Sequence, residues 1–191
     1  MDAIVADLAT PWYARWNERT GASLSIDTVE KWDLAKTTGD GRIYEILREP
    51  GLYRDLPPIQ PAIEVIKGLT KWRVGGELQY EVFILTAAIS DPQIIPDKIH
   101  WLERHMPFID RKHMAFVYHK HIVRGDVLID DAPKNLKRWA KNNPGGLTAT
   151  VTYPYNKDAN VDIRGNDYKN MEEAWKSIDT SLRMVRFMES E

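Results

Sequence analysis

The chain has 191 residues, 43% of them hydrophobic and 28% charged, with a formal net charge of −2 and no cysteine. That length suits one α/β core with a small inserted unit. The weak negative charge supplies no basic field for a nucleic-acid backbone, and the lack of cysteine excludes disulfides, thiolate zinc sites and cysteine nucleophiles. No apolar run approaches the roughly 20 residues of a membrane helix. The acidic N-terminus lacks a signal-peptide pattern, so the expected location is cytoplasmic.

Thr10 is the expected cap of a helix over residues 10–20, with Pro11 in its first turn and Gly21 as its stop. Trp12, Tyr13 and Trp16 lie on it. A short helix is expected over 26–34, capped by Asp27 with Glu30 as the capping-box partner. Residues 37–41 read as a loop and 42–48 as one or two helical turns ended by Pro50-Gly51. Residues 55–59 read as extended. Ile63, Ile66 and Leu69 make 62–72 an amphipathic helix, which Val74-Gly-Gly-Glu77 breaks. Short apolar strands are expected at 81–85, 114–118, 127–129 and 147–152. Helices at 96–105 and 133–141 fall among them. A long final helix over 169–188 carries Trp175, Ile178, Leu182 and Val185 on one stripe. Alternating strands and helices imply an α/β fold with a Rossmann-like parallel sheet.

The tract Asp126-Val-Leu-Ile-Asp130-Asp131-Ala-Pro-Lys-Asn135 ends an apolar run in two adjacent carboxylates. In open α/β sheets ligands bind outside the carboxyl ends of the strands. Two acids there are costly unless they hold a cation or share a proton. Asp131 before Ala-Pro133 also makes a good helix cap, which accounts for one acid and not the other. A second acidic cluster, MDAIVAD, opens the chain; the strand VFILT ends in the hydroxyl of Thr86; Tyr118-His-Lys120-His precedes the acid pair. Carboxylate, threonine, lysine and carboxylate pair, in that order, suit phosphate and magnesium, a hard cation preferring oxygen ligands. Taken singly, Asp2 and Lys120 read as solvated charges and Thr86 as an ordinary strand end. His119 and His121 would point to opposite faces of a strand, and no third ligand accompanies them.

In sequence order, MDAIVAD, KWDL, IYEILREPGLYRDLPPIQPAIEVIKGL, YEVFILTAA, KIHWLERHMPFI, HK and DVLIDDAPKN resemble the 5′(3′)-deoxyribonucleotidases of the haloacid dehalogenase-like (HAD) phosphatases. The resemblance runs from Met1 to about Tyr155, and its strength lies in the order of pieces that are individually weak. It implies a HAD-like core of residues 1–9 and 59–191 with a small helical cap over 10–58. It also implies a magnesium-dependent phosphatase acting on nucleoside monophosphates, pyrimidine deoxynucleotides above all, through an aspartyl-phosphate. By the same resemblance Asp2 is the proton donor and later the base for water, and its backbone carbonyl is a magnesium ligand. Asp130 and Asp131 hold the metal, with Asp131 slightly favoured as direct ligand. The hydroxyl of Thr86 and the backbone N–H of Ala87 bind phosphate oxygens, and Lys120 neutralises the phosphate and the nucleophile. Trp32 and Tyr44 match aromatic positions lining the family's nucleobase pocket. Trp32 reads equally well as cap packing, and for Tyr44 cap packing is the preferred reading. Leu8 stands where the family has a base-stacking aromatic. The implied partner is a small-molecule nucleotide rather than nucleic acid or membrane, with room for a homodimer.

One departure bears on catalysis. The family's first motif is Asp-x-Asp, and its first Asp is the nucleophile. Asp2 matches the second, so the first would fall one position before Met1. The family's first strand, central in the sheet, precedes that motif, and its loss would leave two rows of backbone groups unpaired. The expectation is a sequence truncated at its start; the alternative is a natural variant filling the gap from another segment. With Met1 as the true first residue, the chain reads as an inactive nucleotide- or phosphate-binding protein. A sugar or cofactor phosphate is a third substrate class.

Overall fold

The computed structural model describes residues 1–87 and 92–188; Ala88, at the end of the YEVFILTAA stretch, lies outside them. Helix α1 (Ala9–Thr20) ends at Gly21 in the left-handed conformation, and Trp12, Tyr13 and Trp16 are buried along it. Its cap is Asp7 and not Thr10: the Asp7 carboxylate accepts the Thr10 backbone N–H at 3.1 Å. The helix expected over 26–34 does not form. Ile26–Thr28 is a single 3₁₀ turn closed by Ser25 and Thr28. Asp27, the expected cap, is drawn away to Tyr168 and to Lys169, 2.8 Å distant. Helix α2 (Leu34–Thr38) comes later, taking two residues of the expected loop and stopping at the left-handed Gly39. Asp40 accepts the Arg42 N–H at 2.9 Å and starts a 3₁₀ helix over Gly41–Arg48. The stretch leaves and rejoins the rest of the chain at neighbouring points. Asp7 N–H donates to Pro57 O and Ile59 N–H to Val5 O, both at 2.8 Å.

Helix α3 (Gln60–Leu69) buries Ile63, Ile66 and Leu69, as their spacing requires. It is shorter than expected because the chain turns into a hairpin, β1 (Arg73–Val74) with β2 (Glu77–Leu78). Gly75 and Gly76 both have positive φ, which a two-residue hairpin turn needs. Strand β3 (Ile84–Thr86) pairs in parallel with β4 (Met114–Phe116). Strands β5 (Val127–Ile129), β6 (Leu147–Val151) and β7 (Ile163–Gly165) form a second parallel sheet in that order. Strand β7 was not foreseen; at three residues it carries almost no periodicity. A Cβ on Gly165 would lie 2.8 Å from the Ala174 carbonyl, so glycine lets β7 approach the final helix.

Helix α4 (Ile94–His105) has Pro96 in its first turn, where proline is tolerated. Helix α5 (Pro133–Asn142) follows β5, and α6 (Met171–Met188) packs on β7 and α3. The fold is α/β with parallel pairing throughout its two main sheets. The expected single sheet is divided: β4-β3 and β5-β6-β7 are not hydrogen-bonded to each other. A groove of ≈ 490 Å³ separates them. One hydrophobic core joins Trp12, Ile43, Leu56, Trp101, Trp175 and Ile178. A buried tryptophan N–H usually finds a partner: Trp12 donates to Ile43 O at 2.8 Å and Trp101 to Leu56 O at 2.7 Å, whereas the buried Trp175 N–H has none among the described residues. No described helix is long and apolar enough to cross a membrane.

Candidate active site

The site lies at the carboxyl ends of β3 and β5, beneath the first residues of the chain. Residues 1–6 fold back on themselves: Val5 N–H donates to Met1 O at 2.9 Å and Ala3 N–H to Ala6 O at 2.8 Å, with Ala3 at φ 57. Tyr153 OH ties Ala3 O down at 2.8 Å. This tight loop fixes Asp2 beside Thr86, which ends β3 and is 1% exposed.

Lys98 joins the two. Its ammonium donates to Asp2 Oδ2 at 2.6 Å, to Thr86 Oγ1 at 2.8 Å and to Ala87 O at 2.9 Å, and lies 4.5 Å from the Tyr53 ring centroid. Sequence reasoning missed it. A signal was present: Ile94, Lys98, Trp101 and Leu102 share the spacing of an apolar stripe, so Lys98 occupies a core position. A buried lysine needs a counter-charge, and Asp2 supplies it. The neighbouring Asp97 anchors the same helical turn to the helical stretch before α3, accepting from Arg54 at 2.9 and 3.1 Å and from Gly51 N–H at 3.3 Å.

Asp130 directly follows β5, and both its oxygens accept hydrogen bonds. Oδ2 accepts from Lys120 at 2.5 Å, and Oδ1 accepts from Ala132 N–H at 2.9 Å and Asn135 Nδ2 at 3.0 Å. Asp130, and not Asp131, therefore organises the turn into α5. Among the described residues Asp131 Oδ2 accepts from side chains reaching in from elsewhere, Tyr155 OH at 3.1 Å and Trp32 Nε1 at 3.3 Å. Trp32 is half exposed and spans from the helical stretch to the acid pair. Tyr44 does not reach the site; it donates to Asp33 at 2.9 Å and packs on Trp12. Leu8 packs against the core. Lys120, beyond the strand expected at 114–118, opens a 3₁₀ turn over Lys120–Ile122. The His119 and His121 rings consequently lie 5.4 Å apart instead of on opposite strand faces.

The charges are strongly coupled. Burial pushes the Asp2 carboxyl up, but Lys98, the Met1 amine and Lys120 outweigh it and hold its pKa below the usual carboxylate value. Burial, with Asp130 alongside, raises Asp131 to about 6. Burial opposes the charge on Lys120, and Asp130 more than restores it, so its pKa is raised. The Met1 amine, buried and facing Lys120, is lowered to about 5.

Two features leave room for a hard cation. Asp2 Oδ1 is buried without a hydrogen-bond partner among the described residues, and Asp131 is a carboxylate that its surroundings disfavour as an anion. No group of three or more His, Cys, Asp or Glu side chains among the described residues is arranged to hold a metal. Magnesium does not need one, since it keeps several waters and takes one or two carboxylates plus phosphate oxygens. Sequence reasoning grouped Asp2, Thr86, Ala87, Lys120, Asp130, Asp131 and Trp32, and the structure brings these together.

Comparison with known proteins points the same way. Residues 1–178 match the family described as 5′ nucleotidase, deoxy (pyrimidine), cytosolic type C protein. A putative 5′(3′)-deoxyribonucleotidase of Staphylococcus aureus (strain Mu50) is 33% identical over 175 residues, covering 91% of each chain. A putative 5′(3′)-deoxyribonucleotidase of Staphylococcus epidermidis (strain RP62A) is 29% identical over 94% of each. The 5′(3′)-deoxyribonucleotidase of Bacillus subtilis (strain 168) is 29% identical over 90% of this chain and 93% of its own.

Proposed function

The chain belongs to the deoxy (pyrimidine) cytosolic type C 5′-nucleotidase family, and from that premise we propose that its site hydrolyses deoxynucleoside monophosphates in a magnesium-dependent reaction, in the cytoplasm. One observation carries the reading. The buried Lys98, the partly exposed Lys120, a threonine hydroxyl and three carboxylates converge at the carboxyl ends of β3 and β5, where α/β sheets bind phosphate ligands.

The roles are those the family resemblance implies, and the contacts of Lys98 and Lys120 support them. Thr86 Oγ1 and the Ala87 backbone N–H receive phosphoryl oxygens, and Lys120 offsets their charge. Asp2, an anion at rest, takes up a proton once the negative phosphate offsets Lys98 and Lys120, gives it to the leaving nucleoside oxygen and then takes one from water. Lys98 keeps Asp2 and Thr86 in register. Asp131, with Asp130 and the backbone carbonyl of Asp2, would hold magnesium, which when bound neutralises developing charge on the phosphoryl group. The helical stretch 10–58 acts as a cap over the site, with Trp32 against the base and Tyr44 supporting it from within.

The attacking carboxylate is a separate matter. Asp2 is tied to Lys98 and Asp130 to Lys120, so neither is free for in-line attack. On the family motif that group is the first Asp of the Asp-x-Asp pair whose second is Asp2, which gives an aspartyl-phosphate route. Calorimetric titration of dUMP tests the binding step. One dUMP should bind per chain with magnesium, much more weakly with EDTA and more weakly still after Lys120→Met. Binding indifferent to both changes would contradict the reading.

A further inference from the structure

The turn that follows β6 grips the site at two points. Tyr153 OH donates to Ala3 O at 2.8 Å, and Tyr155 OH donates to Asp131 Oδ2 at 3.1 Å. The two rings are stacked, with centroids 5.3 Å apart and planes 4° apart. Tyr168 also stacks on Tyr153, at 5.3 Å and 20°, and its own hydroxyl goes to Asp27 in the helical stretch. Stacked rings cannot turn independently, so the directions of the Tyr153 and Tyr155 hydroxyls are fixed together. The buried Asn156 clamps the same turn. Its Oδ1 accepts the Tyr153 N–H at 2.8 Å, and its Nδ2 donates to Asp131 O and to Val151 O, each at 3.0 Å. Both the backbone and the carboxylate of Asp131 are therefore tied to residues 153–156. At the other grip, Ala3 has φ 57, uncommon for a residue with a Cβ. Ala6 O holds its N–H at 2.8 Å and Tyr153 holds its carbonyl. The peptide bond into Ala3 carries the Asp2 carbonyl.

We propose that Tyr153 and Tyr155 are positioning residues, a stacked pair that sets the distance between the Asp2 carbonyl and the Asp131 carboxylate and so the fit of a magnesium ion between them. Neither tyrosine supplies a ligand atom; each acts through the residue it holds. The proposal rests on the magnesium site proposed above.

The test reads metal binding and needs no turnover. Magnesium chloride is titrated calorimetrically into the wild-type chain, Tyr153→Phe, Tyr155→Phe, the double variant and Asp131→Asn, and each protein is melted in EDTA. Phenylalanine keeps the ring and the stack and deletes one hydroxyl. The magnesium Kd should rise about 10-fold or more in each single variant. The double variant should lose much less than the product of the two losses, because both hydroxyls set one distance. A lowered Tm in EDTA with an unchanged Kd would make the tyrosines packing residues and overturn the proposal; losses that simply multiply would overturn the shared distance. Magnesium bound by wild type and lost in Asp131→Asn, yet kept by both tyrosine variants, would overturn the proposal and leave the metal site standing. A wild-type chain that binds no magnesium, or binds it equally well after Asp131→Asn, would overturn the metal site and the proposal with it.

Discussion

Asp131→Asn should stabilise the metal-free protein at neutral and alkaline pH. The Asp131 carboxyl is raised from 3.8 to about 6 by burial and by Asp130. A carboxyl whose pKa rises on folding favours the fold only while protonated. Its contribution is complete below 3.8 and is lost as pH climbs through about 6. A rise of roughly two units corresponds to about 3 kcal/mol at 1.36 kcal/mol per unit, and partial solvent screening lowers this to about 2 kcal/mol. Asparagine keeps an oxygen for Tyr155 and Trp32 and removes only the charge. In a chain of this size the Tm gain should be about 4–8 °C at pH 8 and near zero at pH 4. Magnesium should reverse the order. It stabilises wild type by about 2.7 kcal/mol at a hundred times its Kd and should leave the variant almost unmoved. Thermal melts at pH 4 and 8, with magnesium and with EDTA, give all the values. A magnesium shift of equal size in both proteins, or a variant no more stable than wild type at pH 8, would refute the placing of the cation at Asp131.

Lys98→Met strands the Asp2 carboxylate and should cost about 3 kcal/mol in urea unfolding, the low end for a broken buried pair because Asp2 keeps 27% exposure; adding Asp2→Asn should recover part of it. Trp32→Ala should raise the Kd for dUMP about 5–100-fold through lost stacking while leaving inorganic phosphate binding unchanged; equal losses would mark Trp32 as a packing residue. Trp101→Ala, which empties a fully buried position and frees Leu56 O, should cost about 3–5 kcal/mol by denaturant titration.

What was legible followed from local signals that tertiary contacts did not contest. Val127–Ile129 was foreseen to the residue because a short apolar run is bounded by Asp126 and Asp130. The α3 stripe was foreseen because three isoleucines and leucines recur at helical spacing. Asp27 shows the opposite case: its capping signal was sound, but Lys169 and Tyr168, far along the chain, took the carboxylate. The chemical groups at the strand ends could be read in order because strand termini place them together. Lys98 could not, because its partners Asp2, Thr86 and Ala87 are brought to it by three different segments. The surroundings of Asp130 and Asp131 were told apart only once their partners were seen, the first met by Lys120, Ala132 and Asn135, the second by Tyr155 and Trp32.

The central claim is that this site cleaves phosphate from deoxynucleotides, and phosphate release from dUMP measures it most directly. Two forms are compared in magnesium, one with Asp and the other with Asn at the first position of the Asp-x-Asp motif whose second Asp is Asp2. The Asp form should turn over at about 1–10³ s⁻¹, lose that rate in EDTA and lose it again with Asp131→Asn. The Asn form should stay at background. Equal rates in both forms would contradict the account and move the nucleophile to Asp2 or Asp7.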